Sequence, residues 1–267
     1  MSARRLAIVL GAFCAAALAV ACHRAEKRPD RTEPWLASAQ APASPSSSAS
    51  PFLRRVHYEL TASQIAFELP AKRARPRGRL GKASGELDVD LDDLSRTTGH
   101  VELELTTLEM LDASQLVDPS NTALALDWLE LGASIGAERR ATVQRVTYEL
   151  GSLDAGHLVA APSDDRPAAR RELESHWAVR GELSLHGVRA PAAADVTLTL
   201  VPAPDRSAPP AELSIRSRRP LVVSLGTHDI RPRDGRGVPV AKDQGVIGDK
   251  VGREAQITFD LTFAPGR

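Results

Sequence analysis

The sequence predicts an all-β protein: an antiparallel sheet of about eight strands, closed into a barrel or folded into a sandwich, with one short helix. Three observations predict it. Apolar and polar residues alternate through a series of short segments, glycines and prolines punctuate those segments, and one stretch alone carries helical spacing.

The chain opens with Arg4 and Arg5, followed by an apolar run from Leu6 to Ala21 broken only by Gly11. A positive head, a short apolar run and a small-residue exit make a secretory signal. The run falls short of the roughly twenty residues that a membrane helix needs. A plain signal peptide and a short anchor helix both fit it. Leu18-Ala19-Val20-Ala21 before Cys22 resembles the lipobox of bacterial lipoproteins, although Ala19 stands where leucine is commoner. That resemblance implies a signal at 1–21, lipid on Cys22, and a membrane-anchored protein of the bacterial cell envelope facing the periplasm. His23, rather than an aspartate, follows the cysteine and leans towards the outer membrane. Cys14 leaves with the signal, so no disulfide is expected.

Residues 22–51, which include "ASAQAPASPSSSASP", hold little to bury besides Trp35 and Leu36 and are expected to be a flexible tether. Removing Arg4 and Arg5 from 34 Lys and Arg leaves a near balance against 34 Asp and Glu. Neither nucleic acid nor an anionic membrane surface is therefore expected as the main partner.

The remaining segment, 52–267, suits one domain. In "SQIAFEL", Ile65 and Phe67 share a face. "GELDVDL" places Leu87 and Val89 opposite its acids, and "HVELEL" does the same with Val101, Leu103 and Leu105. A helix is expected at Ser120–Leu131, from the spacing of Leu124, Trp128 and Leu131 behind a serine cap. Strands resume at "VTYEL", "WAVRGELSL" with Val179, Leu183 and Leu185, "DVTLTL" with Leu198, "ELSI", and "ITFDLTF" with Phe259. Each has one dry face and one wet face.

"WAVRGELSLHGVRAPAAADVTLTL" resembles the signature region of the YceI-like family, in which a strand ending Gly-x-Leu-x-x-x-Gly-Val leads to a basic residue, a proline and a paired strand. "GKASGELDVDLDDL", "HVELELTTLEM", "ALDWLELG" and "VGREAQITFDLTF" resemble its other segments in order. Two departures stand out: "VDPSNTALAL" has neither the arginine nor the histidine common before the helix, and "IRPRDGRG" stands where an arginine and Asp-Phe-Gly are usual. The insertion "APSDDRPAARRELES" is also longer than a hairpin needs.

The resemblance implies a lipocalin-like antiparallel barrel with room for an isoprenoid or another apolar lipid. The inward positions Ile65, Phe67, Val89, Leu103, Leu105, Val179, Leu183, Leu185, Leu198 and Phe259 are the candidate lining. An inward stripe of Leu and Val is equally what a filled core needs, so a packed barrel working through its outer surface stays open.

Catalytic chemistry finds little support in the residues. The seven histidines show no paired metal-ligand spacing, "DVDLDD" alternates with Val89 and Leu91 as a solvated strand face does, and no Gly-x-Ser-x-Gly is present. Neither metal nor cofactor is expected. His186 is placed in a surface or hairpin role. The glycine-rich 231–252 is read as a long loop near the barrel mouth, where Arg231, Arg233 and Arg236 either meet an anionic headgroup or are merely solvated.

Overall fold

β1 (Arg55–Glu68) and β12 (Glu254–Pro265) pair antiparallel from Tyr58–Pro265 to Glu68–Gln256, joining the first and last strands into a closed barrel. The computed structural model describes residues 55–154, 158–159, 173–205, 207–240 and 249–266. The expected signal, Cys22 and the tether lie outside the described residues, as does most of the insertion at 161–175.

Between those two strands run β2 (Arg77–Leu80), β3 (Ala83–Asp90), β4 (Thr98–Glu104), β5 (Leu108–Leu111), α1 (Pro119–Trp128), α2 (Ala137–Val143), β6 (Arg145–Asp154), β7 (Leu158–Val159), β8 (Leu173–Leu185), β9 (Val188–Val201), β10 (Glu212–Ser217) and β11 (Leu221–Ser224). The ring reads β1-β3-β4-β6-β8-β9-β10-β12 and back to β1, antiparallel at each step. The expected closed barrel of eight strands is therefore the observed one.

Three of the short strands prolong barrel strands. β2 and β3 lie on one register against β1, with Ile65 opposite Leu80 and Glu59 opposite Glu86, and are interrupted at Gly81-Lys82. β5 prolongs β4 beyond a single 3-10 turn at Leu105–Thr107, and β11 prolongs β10 beyond Pro220, which has no amide hydrogen to donate to the ladder.

Two bulges reset the inside-outside alternation. β6 slips between Leu150 and Ser152, so that Leu150 and Leu153 both face inward although three positions separate them. β1 slips between Leu60 and Ala62, which brings Tyr58 into the core with Ile65. The β8–β9 hairpin turns on His186 and Gly187, with φ of 55° and 78°, the mirror-image two-residue turn that suits strand twist.

The helical region departs from expectation in two respects. The cap of α1 is Asp118, whose carboxylate accepts from the Asn121 amide at 3.0 Å, and Pro119 follows it at the first helical position. A second helix, α2, stands where none was expected, because "AERRATV" carries too few apolar residues to show a helical stripe.

Candidate functional site

The barrel is hollow. Among the described residues its largest cavity has a volume of about 250 Å³ and runs along the interior. For scale, an apolar void of roughly 150 Å³ is enough to bind benzene. One end is formed by the close of β3 with Val89, by Thr97 before β4, and by Leu213 and Phe263. The other is closed by Met110, by Leu129 after α1, by Leu185 at the hairpin, and by Ile230 after β11.

The side chains themselves register the void. Leu103, Tyr148, Leu150, Ile215, Ile257 and Phe259 point inward yet are only partly buried, and the surface they keep faces the cavity. They lie between two dry clusters. One is built on Leu105, Val143, Val146 and Leu183, and the other on Tyr58, Val89, Leu213 and Phe263. Outside, the polarity reverses: Glu59, Glu86, His100, Glu149 and Glu182 stand directly opposite one another in a row across β1, β3, β4, β6 and β8. An apolar interior with a charged exterior is the opposite of a membrane-spanning barrel.

All ten residues chosen from the sequence as candidate lining stand on the cavity wall: Ile65 and Phe67 on β1, Val89 on β3, Leu103 on β4 with Leu105 just beyond it, Val179, Leu183 and Leu185 on β8, Leu198 on β9, and Phe259 on β12. Sequence reasoning missed the residues that close the helical end, Met110, Leu129, Leu225 and Ile230. Leu129, Leu225 and Ile230 lie in connections, where no alternation marks which way a side chain points. It also missed Thr97, for the same reason.

Four polar side chains belong to the wall: Thr97, His100, Trp128 and Tyr148. Tyr148 donates its hydroxyl to the Ala192 carbonyl at 3.3 Å, and burial pushes its pKa up to about 12, so it stays a neutral donor. His100 is turned towards Glu86, 3.8 Å from its carboxylate. Trp128 is at the helix-closed end. Neither lysine nor arginine is present on the wall.

Behind the helix-closed end lies a buried ionic cluster. Glu130, His186, His228 and Arg233 are each less than a tenth exposed. Arg233 donates from Nη1 to Glu130 at 2.7 Å and to the Gly237 carbonyl at 3.0 Å, and from Nη2 to Asp229 at 2.7 Å. Arg139 also pairs with Glu130. His186 has Nδ1 3.1 Å from the His228 carbonyl and Nε2 3.5 Å from Glu130, and burial lowers its pKa against the opposing pull of Glu130.

Two sequence expectations need correction here. His186 occupies the expected hairpin but is buried rather than on the surface, because α1 and the segment after β11 fold over it. Arg231, Arg233 and Arg236 do not stand free for a headgroup: Arg231 pairs with Asp229 at 2.5 Å, Arg236 with Asp234 at 3.2 Å, and Arg233 is held in the cluster. Part of the loop that follows, 241–248, lies outside the described residues. No group of three His, Cys, Asp or Glu among the described residues is arranged to hold a metal ion.

A closed antiparallel barrel, charged outside and hollow and apolar inside, defines a barrel protein of the lipocalin-like class. Residues 58–263 match the YceI-like domain, and the chain belongs to the YceI-like family. Among solved structures it is similar to a polyisoprenoid binding domain from Saccharophagus degradans implicated in plant cell wall breakdown, at 13% identity over 79% of this chain and 99% of that one, with a TM-score of 0.50. It is also similar to Burkholderia cenocepacia BcnA, at 15% identity over 75% of this chain and 95% of that one, with a TM-score of 0.47. At such identity the likeness is one of fold. No curated protein sequence matches the chain.

Proposed function

We propose that this protein binds an isoprenoid or another apolar lipid inside its barrel, and that it acts by holding the molecule rather than by transforming it. The observation that carries this reading is the cavity itself, with inward side chains that lack neighbours and a wall of aliphatic and aromatic groups. Transferring a chain from water into such a wall is favourable by about 0.8 kcal/mol for each buried methylene. Membership in the YceI-like family and the polyisoprenoid-binding description of the Saccharophagus domain support the same class of ligand.

The proposal includes the place of action. A signal at 1–21 and lipid on Cys22 tie the barrel to the bacterial envelope through the Pro-, Ser- and Ala-rich 23–51, facing the periplasm, with the outer membrane the favoured side. Two or more acyl chains make such anchoring stable. The tether then gives the barrel reach from the membrane to its cargo.

Each half has its own test. Intact mass of the full chain after expression in a bacterium should show a mature terminus at Cys22 carrying acyl groups, and Cys22→Ser should release the protein into the soluble fraction. A mature chain without lipid would remove the anchor from the proposal and leave the carrier standing. Solvent extraction of the purified full chain should yield an apolar lipid in stoichiometric amount, and a protein that neither yields nor takes up polyprenyl lipids would overturn the carrier.

A further inference from the structure

Thr97 is 5% exposed, belongs to the cavity wall, and its Oγ1 has no hydrogen-bond partner among the described residues. Four other buried polar atoms share that condition, on Asp90, Arg140, His186 and Arg233, and none of those residues is on the wall. A buried hydroxyl left unpaired costs about 1–3 kcal/mol, so an orphan inside a binding cavity marks where a ligand's polar atom belongs.

The surroundings narrow its chemistry. Tyr148 and His100 are already directed to Ala192 and Glu86, which leaves Thr97 to meet a polar group at its end of the cavity. That end also lacks positive charge: the wall holds no lysine or arginine. The loop that delivers Thr97 begins at Asp90, which is 1% exposed and accepts from the Asp92 and Asp93 amides through Oδ1, while Oδ2 has no partner among the described residues. Arg96 in the same loop pairs with Asp93 at 3.1 Å, and Arg55 is exposed and directed at the Arg96 carbonyl. A carboxylate or phosphate placed beside Thr97 would lose its hydration, gain no cation, and approach a buried aspartate.

From this we infer that Thr97 is the headgroup subsite of the barrel, and that the ligand is an amphiphile with an uncharged oxygen, a hydroxyl or a carbonyl, which accepts a hydrogen bond from the Thr97 hydroxyl. The inference rests on the proposed lipid-binding function and adds to it the ligand's direction: head at the Thr97 end, apolar chain towards Leu129 and Leu185.

The test uses the full chain and three probes of one skeleton, farnesol, farnesoate and farnesene, with Thr97→Val, which keeps the shape, and Thr97→Ser, which keeps the hydroxyl. The wild type should bind farnesol at least tenfold more tightly than farnesoate. Thr97→Val should weaken farnesol about fivefold and leave farnesene unchanged, and Thr97→Ser should restore most of the loss. Equal binding of farnesol by wild type and a folded Thr97→Val, or a wild type that prefers farnesoate, would overturn the subsite while leaving the cavity reading intact. Failure of all three probes to bind the wild type would overturn both.

Discussion

Arg233 and Glu130 form a buried ion pair, 2.7 Å from Nη1 to Oε1, with both side chains a tenth exposed or less. It fastens the segment after β11 to the end of α1, against the cavity residues Leu129 and Ile230. Glu130 is placed for this by an unusual helix end. Its amide donates to the Asp127 carbonyl and the Leu131 amide to Leu126, a Schellman closure whose left-handed position is normally glycine; Glu130 has a φ of 57° there. Removing one partner strands a buried charge, so Arg233→Met should cost about 3–5 kcal/mol in urea unfolding. Glu130→Gly should also destabilise, although glycine suits the backbone better. A Glu130→Gly variant as stable as wild type would mean that the ion pairs contribute nothing.

The two perturbed histidines should act on stability in opposite senses. Burial lowers the pKa of His186 from 6.5, so below that pH the unfolded chain takes up a proton that the folded one refuses. Stability should therefore fall as pH drops through 6.5 and level off below the folded value. His186→Asn, in a residue type that tolerates its positive φ, should flatten that acid-side loss in unfolding measured at pH 5 and pH 7.5. The hydrogen bond to Asp88 raises the pKa of exposed His57. Its small contribution is present below 6.5 and lost as pH rises through the folded value. An NMR titration should place His57 above 6.5 in wild type and nearer 6.5 in Asp88→Asn.

Gly181 has no space for a side chain. A Cβ there would overlap the Glu149 carbonyl across the strand pair and lie 2.8 Å from the Tyr148 ring. Backbone and a buried ring cannot both yield, so Gly181→Ala should destabilise by about 1–3 kcal/mol. Unchanged stability would show that β6 and β8 separate more easily than their pairing indicates.

Two substitutions distinguish the cavity from the wall. Leu103 faces the void, so Leu103→Trp should fill it and abolish lipid binding with little change in melting temperature. Leu183 is 5% exposed inside the wall, and Leu183→Arg should cost several kcal/mol by burying a charge and should unfold the domain. A soluble Leu183→Arg variant of unchanged stability would contradict its inward placement.

The strands and their inward faces were legible because alternation is a local signal. From Leu183 and Leu185 to Phe259, the residues of the lining follow from period two alone. Alternation cannot show closure, since a sandwich presents the same stripe, and it cannot show whether the stripes meet. The helical end was illegible for a different reason. Glu130, His186 and Arg233 converge from three segments far apart in sequence, and nothing in any one segment reveals that its charge will be buried. Thr97 is in the same position: a threonine in a polar loop becomes distinctive only when the fold turns it onto an apolar wall.

The most direct test of the lipid-carrying account is native mass spectrometry of the full chain, purified from bacterial membranes without added lipid, beside Leu103→Trp. The expected result is a discrete excess mass on the wild type, beyond any covalent acylation, that disappears on solvent extraction and is missing from the folded variant. A clean mass for the wild type, unchanged after incubation with polyprenyl alcohols and quinones, would contradict the account.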